Sequence, residues 1–582
     1  MNWGTNYVLL ETLRKDKDNK QNYLFTDPVT IISCRQRSEL KNCFHQIESY
    51  LQKGFYLAGF LSYELGYILE ESLTRYYPKQ YHPLIWMGVF RRPRSLTKPL
   101  AAVEINNFYL STPALNVSRT EYGKNIAIIK ELIRGGDTYQ INYTAKYKFD
   151  FGGDIIAFYN RLKEMQKVSY SALIKYNGNY IVSLSPELFF RIDKNRRITV
   201  KPMKGTAPKN SGQWLTSDKK NRSENVMIVD LLRNDLGRIC KTGSVRVKQL
   251  FEIEEYETLQ QMTSTVQGNL LPQVKIWDII KSLFPCGSVT GAPKINSMKI
   301  IHALEKEPRN IYTGAIGYLA PDNTAVFNVA IRTIDLEYVD AGKYKAQMGI
   351  GGGIVYDSEP EAEHRECMLK AKFLIDSVPD FSLIETMLCD RGKIKYLAAH
   401  LRRLKASARY FNIPCNIAAV KQTLQKQTSS LKGSLRLRLL LDAAGETTVE
   451  HASFVMNKSA LLKIAISKYK IKSQDIFLRH KTTHRKLYDE EYKKYTAQGY
   501  FDIIFRNEKD EITEGAISNI FIRENGCYYT PPLTSGLLSG IQRQVMIKRL
   551  KAKEKVLYLS DLKKADKIFL TNSVRGINEV IF

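Results

Sequence analysis

Hydrophobic and polar positions follow two different rhythms along this chain. Before about Asp376, strand-like stretches trade places with helical ones. "FYLAGFLSYELGY" and "NYIVSLSPELFFRID" are apolar with few charges and read as buried strands. "EYGKNIAIIKELIRGGD" reads as a helix, with Tyr122, Ile126, Ile129 and Ile133 on one face and Gly135-Gly136 to end it. "SENVMIVDLLRNDLGRIC" reads as an apolar helix with Ser223 as its cap and Glu224 in its first turn. Another helix begins near Pro360. "DSVPDFSL" then breaks the pattern, with Pro379 as a stop. Beyond it, "GSLRLRLLLDAAGETTVEHASF" reads as a hairpin in which Arg436 and Arg438 alternate with leucines and Gly445 makes the turn. The pattern predicts an α/β (α+β) protein of two domains, 1–376 and 380–582, with no internal repeat.

Composition adds bounds. At 582 residues the chain exceeds what one core usually supports, so two or more domains are expected. Its 44% hydrophobic and 25% charged residues are ordinary for a globular protein. The formal charge of +28 favours anionic partners, such as nucleic acid, a membrane surface or acidic small molecules. The lysines are scattered, however, and the densest cluster, "KIKYLAAHLRRLKASARY", carries helical apolar spacing. That spacing makes most of it a solvated face over a core, and no nucleic-acid-binding module is recognisable. The opening "MNWGTNYVLLETLRKDKDNK" has no charged-then-apolar signal pattern, and no apolar run reaches the ~20 residues of a membrane helix. The 8 cysteines are dispersed without a Cys-x-x-Cys pair, which argues against zinc ribbons and disulfide scaffolds. A cytoplasmic location is expected.

Chemistry concentrates in a few stretches. "KPMKGTAPK" puts Lys204 where a strand ends and the backbone turns. A lysine aimed into a site there would be a nucleophile, a base or an anion clamp. In "GIGGGIVYDSEPEAEHRECMLKAKFLID", glycines can bring backbone N–H groups close to an anion. Glu363, Glu366 and Lys370 then line one helical stripe. Such a stripe can equally be a solvent-exposed set of charge pairs. One carboxylate from each of two helices, with Glu224 on the other, is also how Mg²⁺ is usually held.

Taken in order, "GDTYQINYT", "SLSPELFF", "KPMKGTAPK", "SENVMIVDLLRNDLGRI", "PCGSVTGAPKINSM", "YTGAIGY", "AIRT" and "GGGIVYDSEPEAEHRE" resemble the motifs of the chorismate-utilising enzymes. That family includes anthranilate, aminodeoxychorismate, isochorismate and salicylate synthases. The resemblance spans roughly residues 50–375 and implies a large sandwich of two packed sheets. It further implies Mg²⁺ held by Glu224 and Glu366 with Glu363 beside them. Substrate carboxylates would meet Arg332, Lys370 and the backbone around Gly352, and Tyr312 sits where the family has a substrate-contacting tyrosine.

Two positions discriminate among members. Water-using relatives carry a lysine base where this chain has Gln140, which can accept from or donate to ammonia. Aminodeoxychorismate synthases carry a lysine at the place of Lys204, where anthranilate synthases have a small residue. A free lysine, with a pKa near ~10.4, is a poor nucleophile, and desolvation in a cleft activates an amine. Lys204 is therefore expected to attack C2 of chorismate as the C4 hydroxyl leaves, after which ammonia enters at C4 and expels it. The alternative is a lysine that only neutralises a substrate carboxylate. Gln261 stands near the place of a histidine associated with pyruvate elimination in anthranilate synthases. No glutaminase nucleophile motif is visible, so ammonia would come from solution or from a separate glutamine amidotransferase subunit.

In the second half, "RHKTTHRKLYDEEYKKY" sets Lys481 between His480 and His484. A metal helix through the two histidines lacks a third ligand. "DEITEGAISNIFI", "TPPLTSGLLSGIQRQ" and "FLTNSVRGINEV" follow. From about Phe381 this set resembles the fold-type IV pyridoxal-phosphate enzymes, which include branched-chain and D-amino-acid aminotransferases and aminodeoxychorismate lyase. The resemblance implies that Lys481 bonds to the cofactor aldehyde and Glu514 pairs with the pyridinium nitrogen. Arg403, the backbone at Ile541, and Ser573 would hold the phosphate. Thr386 in "FSLIETML" falls where the lyase has a catalytic threonine.

The two resemblances together imply one chain that makes 4-amino-4-deoxychorismate from chorismate and ammonia and then releases pyruvate to leave 4-aminobenzoate for folate. The rival is an anthranilate synthase component I joined to an aminotransferase-like domain.

Overall fold

The computed structural model describes residues 3–14, 19, 22–78, 82–100, 108–208, 217–255, 259–340, 342–377, 381–428, 433–454 and 462–582. The chain forms two compact units, Met1–Asn106 with Thr112–Ser377, and Asn107–Ser111 with Val378–Phe582. Pro379, the expected stop, lies outside the described residues.

The first unit is built on two large sheets. One runs in the order Gly291–Ala292, Gln140–Gly153, Lys343–Ile354, Thr333–Asp340, Asn179–Ser185, Tyr170–Tyr176, Tyr7–Glu11, Asn22–Thr26 and Arg94–Leu96. The other is ten-stranded. It starts with Met203–Pro208, Leu259–Asn269, Arg197–Lys201 and Leu188–Ile192, and continues through Ala325–Val329, Ala315–Leu319 and Tyr56–Leu61. Apolar side chains of both sheets share one core: Val8, Phe25 and Ile174 from the first meet Phe60, Trp86 and Ile316 from the second. The other face of the second sheet is covered by helices, through Leu40, Phe44, Ile228, Leu232 and Ile280. This is the two-sheet α/β sandwich expected, since a sheet with two apolar faces needs a layer on each side.

Three local expectations change. "NYIVSLSPELFFRID" is not one strand: Asn179–Ser185 belongs to the first sheet and Leu188–Ile192 to the second. Pro186 sits at the break, where a residue without an N–H ends the ladder and lets the chain change sheets. "FYLAGFLSYELGY" holds a strand only over Tyr56–Leu61 and then turns into the short helix Leu65–Leu69. The helix bearing Glu224 runs Lys219–Gly237, and its cap is Asp218, whose side chain accepts from Asn221 N at 2.8 Å, so Ser223 is inside the first turns. The helix Arg119–Arg134 agrees with its sequence pattern, with Tyr122, Ile126 and Ile129 buried and Gly135-Gly136 at its end.

The second unit has a four-stranded sheet, Lys393–Ile394, Leu383–Asp390, Ser434–Leu441 and Thr447–Ser453. The last two strands are the predicted hairpin, and Gly445 at its turn has φ +88°. An eight-stranded mixed sheet runs Ile512–Gly515, Asp502–Asn507, Leu462–Ile471, Gly576–Ile581, Lys567–Asn572, Asn519–Glu524, Cys527–Thr530 and Lys553–Glu554. Tyr109 is part of this unit's core, its ring against Tyr410 and Phe411. No helix among the described residues is long and apolar enough to cross a membrane.

Candidate active sites in the two units

In the first unit the lysine strand Met203–Pro208 pairs with Leu259–Asn269, but the register slips between Lys204 and Thr206. Gly205 has φ +81°, a conformation that glycine adopts without steric cost. The bulge ends the regular pleat at Lys204. Its ammonium comes to Gly353, in the strand Lys343–Ile354, where a Cβ would lie 3.0 Å from Lys204 Nζ and 2.3 Å from Gln140 Nε2. Gln140, buried at the start of the neighbouring strand, donates through Nε2 to Glu224 Oε2 at 3.3 Å. Its side-chain carbonyl oxygen is buried with no hydrogen-bond partner among the described residues. Ser264 Oγ donates to Asn225 Oδ1 at 2.6 Å, which ties the Glu224 helix to the strand facing the lysine.

The glycine run has one open side. Pairing of Lys343–Ile354 with Thr333–Asp340 stops at Met348, whereas pairing with Gln140–Gly153 continues to Ile354. Lys370 Nζ donates to Gly351 O at 2.8 Å and pairs with Glu366 Oε1 at 2.8 Å. Burial lowers the Lys370 pKa, but the neighbouring Glu366 and Glu363 outweigh it and raise the value overall. A Cβ on Gly352 would come 3.3 Å from Glu363 Oε2 and 3.7 Å from Lys370 Nζ. Glu363 is buried and accepts from Ser358 Oγ at 2.7 Å, while Glu366 is exposed. The Tyr312 ring lies against Gly349, where a Cβ would fall 2.1 Å from it. Arg332 donates to Gln166 Oε1 at 2.5 Å.

Among the described residues no group of three or more His, Cys, Asp or Glu side chains gathers to hold a metal ion. The hard carboxylate oxygens of Glu224, Glu363 and Glu366 suit Mg²⁺ in kind, and the space over Gly352 would be filled by any Cβ. An ion here would rest on a sparse protein set and on oxygens of substrate and water.

Sequence reading passed over Glu187, although it lies inside the quoted "SLSPELFF". It sits where the chain changes sheets, is 3% exposed, and accepts from Ser288 Oγ at 2.6 Å. Burial pushes its carboxyl up to about 7 despite the Ser288 hydrogen bond and the nearby Lys204 charge. An acid that holds a proton near neutrality thus stands beside the lysine.

In the second unit Lys481 lies on an irregular segment between the turn Ile476–Leu478 and the helix Lys486–Thr496. The His480 ring packs at a tilt against Tyr410 and that of His484 against Phe477, so the two histidines are packed apart and not aligned on a helix. Burial pushes the Lys481 amine down to about 7, helped by the Arg485 and Arg403 charges and opposed by Glu385 and Glu514. Glu514 is buried and accepts from Leu538 N and Asn519 Nδ2, each at 3.1 Å. Burial lifts its carboxyl to about 8. Gly540 caps the helix Ile541–Leu550, and a Cβ there would lie 2.0 Å from Asn519 Oδ1. The helix N-terminus and the acid are therefore held together through Asn519. Arg403 reaches Ser539 O through NH1 at 3.4 Å.

Ser573 is in the turn between Lys567–Asn572 and Gly576–Ile581, which Asn572 shapes by accepting from Val574 N and Arg575 N. Thr386 follows Glu385 along a strand, so its side chain leaves from the opposite face. Glu385, His400, Arg485 and Asn519 are further residues that sequence reading did not single out. All four lie in or beside the quoted motifs. The groups present fit pyridoxal phosphate: an amine of lowered pKa, a buried carboxyl, a guanidinium and a helix N-terminus.

The paired sheets and the glycine-floored cluster of the first unit are those of a chorismate binding enzyme, and the chain belongs to that family, whose model matches residues 8–376. The family model described as amino-transferase class IV matches residues 382–581. Aminodeoxychorismate synthase of Streptomyces pristinaespiralis is 39% identical over 272 residues, covering 45% of this chain and 37% of its own length. Aminodeoxychorismate synthase component 1 of Salmonella typhimurium is 35% identical over 268 residues, covering 45% of this chain and 58% of its own. The chain therefore matches between about a third and three fifths of these relatives. The crystal structure of anthranilate synthase component I from Streptococcus pneumoniae TIGR4 has a TM-score of 0.52 at 24% identity, covering 62% of this chain and 93% of that one, a likeness of fold.

Proposed function

We propose that the first unit aminates chorismate at C4 and that the second removes pyruvate from the product to give 4-aminobenzoate. The observation that carries this is the meeting of Lys204 and Gln140 over Gly353. A primary amine and a carboxamide with an unused acceptor suit a covalent step followed by capture of ammonia. Lys204 attacks C2 as its neutral amine, the ring double bonds shift, and the C4–O bond breaks; the proton shed later by the ammonia nitrogen at C4 returns to Glu187. Glu187 gives its proton to the departing hydroxide, which leaves as water. Gln140 orients ammonia for attack at C4, and the C2–N bond to Lys204 breaks in turn. Relatives named aminodeoxychorismate synthase, at 39% and 35% identity, support this reading over 2-aminobenzoate formation.

Lys370, the open edge of the glycine run, and Arg332 bind the substrate carboxylates. Glu224, Glu363 and Glu366 would hold Mg²⁺, which neutralises carboxylate charge. Ammonia arrives from solution or from a separate glutamine amidotransferase.

In the second unit, pyridoxal phosphate supplies an electron sink when bound. Glu514 holds a proton at the pyridine nitrogen, and Arg403, Ser573 and the N–H groups at Ile541 bind the phosphate. Lys481 takes the proton from C4 of the amino intermediate, which lets pyruvate leave and the ring become aromatic. Thr386, whose side chain leaves its strand on the face opposite Glu385, acts as the catalytic threonine of the lyase step. The products belong to a cytoplasmic biosynthetic route to folate.

The test is to incubate the purified chain with chorismate, ammonium, Mg²⁺ and pyridoxal phosphate. The expected product is 4-aminobenzoate, and apo-protein without pyridoxal phosphate should stop at the amino intermediate. Formation of 2-aminobenzoate would overturn the reading. Intact mass should detect a covalent adduct in wild type that is missing in Lys204→Ala.

A further inference from the structure

Arg403 is held by more than chance proximity. Its Nε donates to Glu385 Oε1 at 2.8 Å and its NH2 to Glu385 Oε2 at 2.7 Å, a two-point fork. Glu385 is 2% exposed, and its Oε2 also lies 2.6 Å from His400 Nδ1. His400 and Arg403 are three residues apart on the helix Leu397–Tyr410 and so share a face. Two of the three guanidinium nitrogens are thereby committed to one buried carboxylate. A planar group held at two points cannot rotate, so the direction of its third nitrogen is set. That nitrogen, NH1, faces Ser539 O, immediately before the Gly540 cap of Ile541–Leu550.

We propose that Glu385 is a positioning residue: it locks the Arg403 guanidinium so that NH1 and the first N–H groups of the helix Ile541–Leu550 form one anion subsite for a phosphate monoester. The proposal rests on the reading of the second unit as a pyridoxal-phosphate site. The opposite effect is physically available, because a buried carboxylate beside an anion site repels the anion and competes for the guanidinium. The two effects differ in sign, and removal of the charge distinguishes them. His400, whose buried Nε2 has no partner among the described residues, braces the same carboxylate through Nδ1 at Oε2.

The experiment compares pyridoxal 5′-phosphate with pyridoxal, which lacks the phosphate, on the full-length apo-protein. Binding is read from the absorbance of the bound ligand, and the readout is the ratio of the two dissociation constants. Wild type is expected to prefer the phosphorylated ligand strongly. Glu385→Gln should cut that preference at least tenfold, through weaker binding of pyridoxal 5′-phosphate with pyridoxal unaffected. A merely structural residue would weaken both ligands alike and leave the ratio unchanged, which would overturn the proposal. A larger preference would overturn it too, by identifying Glu385 as a competitor. If Glu385→Gln does not fold, Arg403→Lys keeps the charge but loses the fork, and the same tenfold fall is expected; an unchanged ratio again overturns the proposal. Wild type binding both ligands equally would instead overturn the pyridoxal-phosphate reading itself.

Discussion

Lys204 and Gln140 converge on a residue with no side chain: a Cβ on Gly353 would stand 3.0 Å from the ammonium nitrogen of one and 2.3 Å from the amide nitrogen of the other. Both obstructing atoms are ends of flexible side chains, and the backbone at Gly353 is not in the left-handed region. Gly353→Ala should therefore fold with a Tm within a few degrees of wild type, yet lower kcat/KM for chorismate amination by about 10- to 100-fold, since displacing reacting groups by about 1 Å costs on that order. Thermal unfolding and product formation measured on the same preparation test the separation.

The buried carboxyl of Glu187 is raised from its ordinary 4.5 to about 7. A proton donor works only while protonated, so the amination rate should fall as pH rises through about 7. Glu187→Gln should remove that limb and lower the rate by about 10²- to 10⁴-fold. The same raised value links to stability. The contribution of Glu187 is fully present below pH 4.5 and is lost as pH rises through about 7, because the unfolded carboxyl gives up its proton first. A pH–rate profile of the variant that kept the wild-type limb would assign the proton to another group.

Lys481 is displaced in the other direction, from 10.5 to about 7, by burial and by the Arg485 and Arg403 charges. The neutral amine is the form that attacks an aldehyde. Attachment of pyridoxal phosphate to apo-protein should therefore quicken with pH around a midpoint near 7. Arg485→Gln should move the midpoint up, since it removes a neighbouring positive charge. Stopped-flow absorbance gives the midpoint, and borohydride reduction should label wild type but not Lys481→Ala.

Gln140 uses its Nε2 on Glu224, and its carbonyl oxygen has no partner among the described residues. Gln140→Leu should raise KM for ammonium about tenfold, the worth of one hydrogen bond of ~1.4 kcal/mol, with a smaller effect on KM for chorismate. Initial rates over a matrix of both substrates separate the two constants.

Much of this was readable in the text of the chain. The face of the helix Arg119–Arg134 and the hairpin around Gly445 follow from spacing alone, since both bury one side against the rest of their unit. The break at Pro186 was hidden because the segments on either side are equally apolar, and an apolar run does not say which sheet it joins. Ser223 has the residue type of a cap, but Asp218 takes the place because the helix extends one turn further back.

Local order thus determined which elements form and which reactive side chains the chain owns, because periodicity and motif spacing act over a few residues. Only the tertiary structure decided that burial raises the carboxyl of Glu187, beside Lys204, to about 7, and that Glu385 grips Arg403. Those outcomes depend on desolvation and on charges brought together from distant parts of the sequence, and neither is a property of any short stretch.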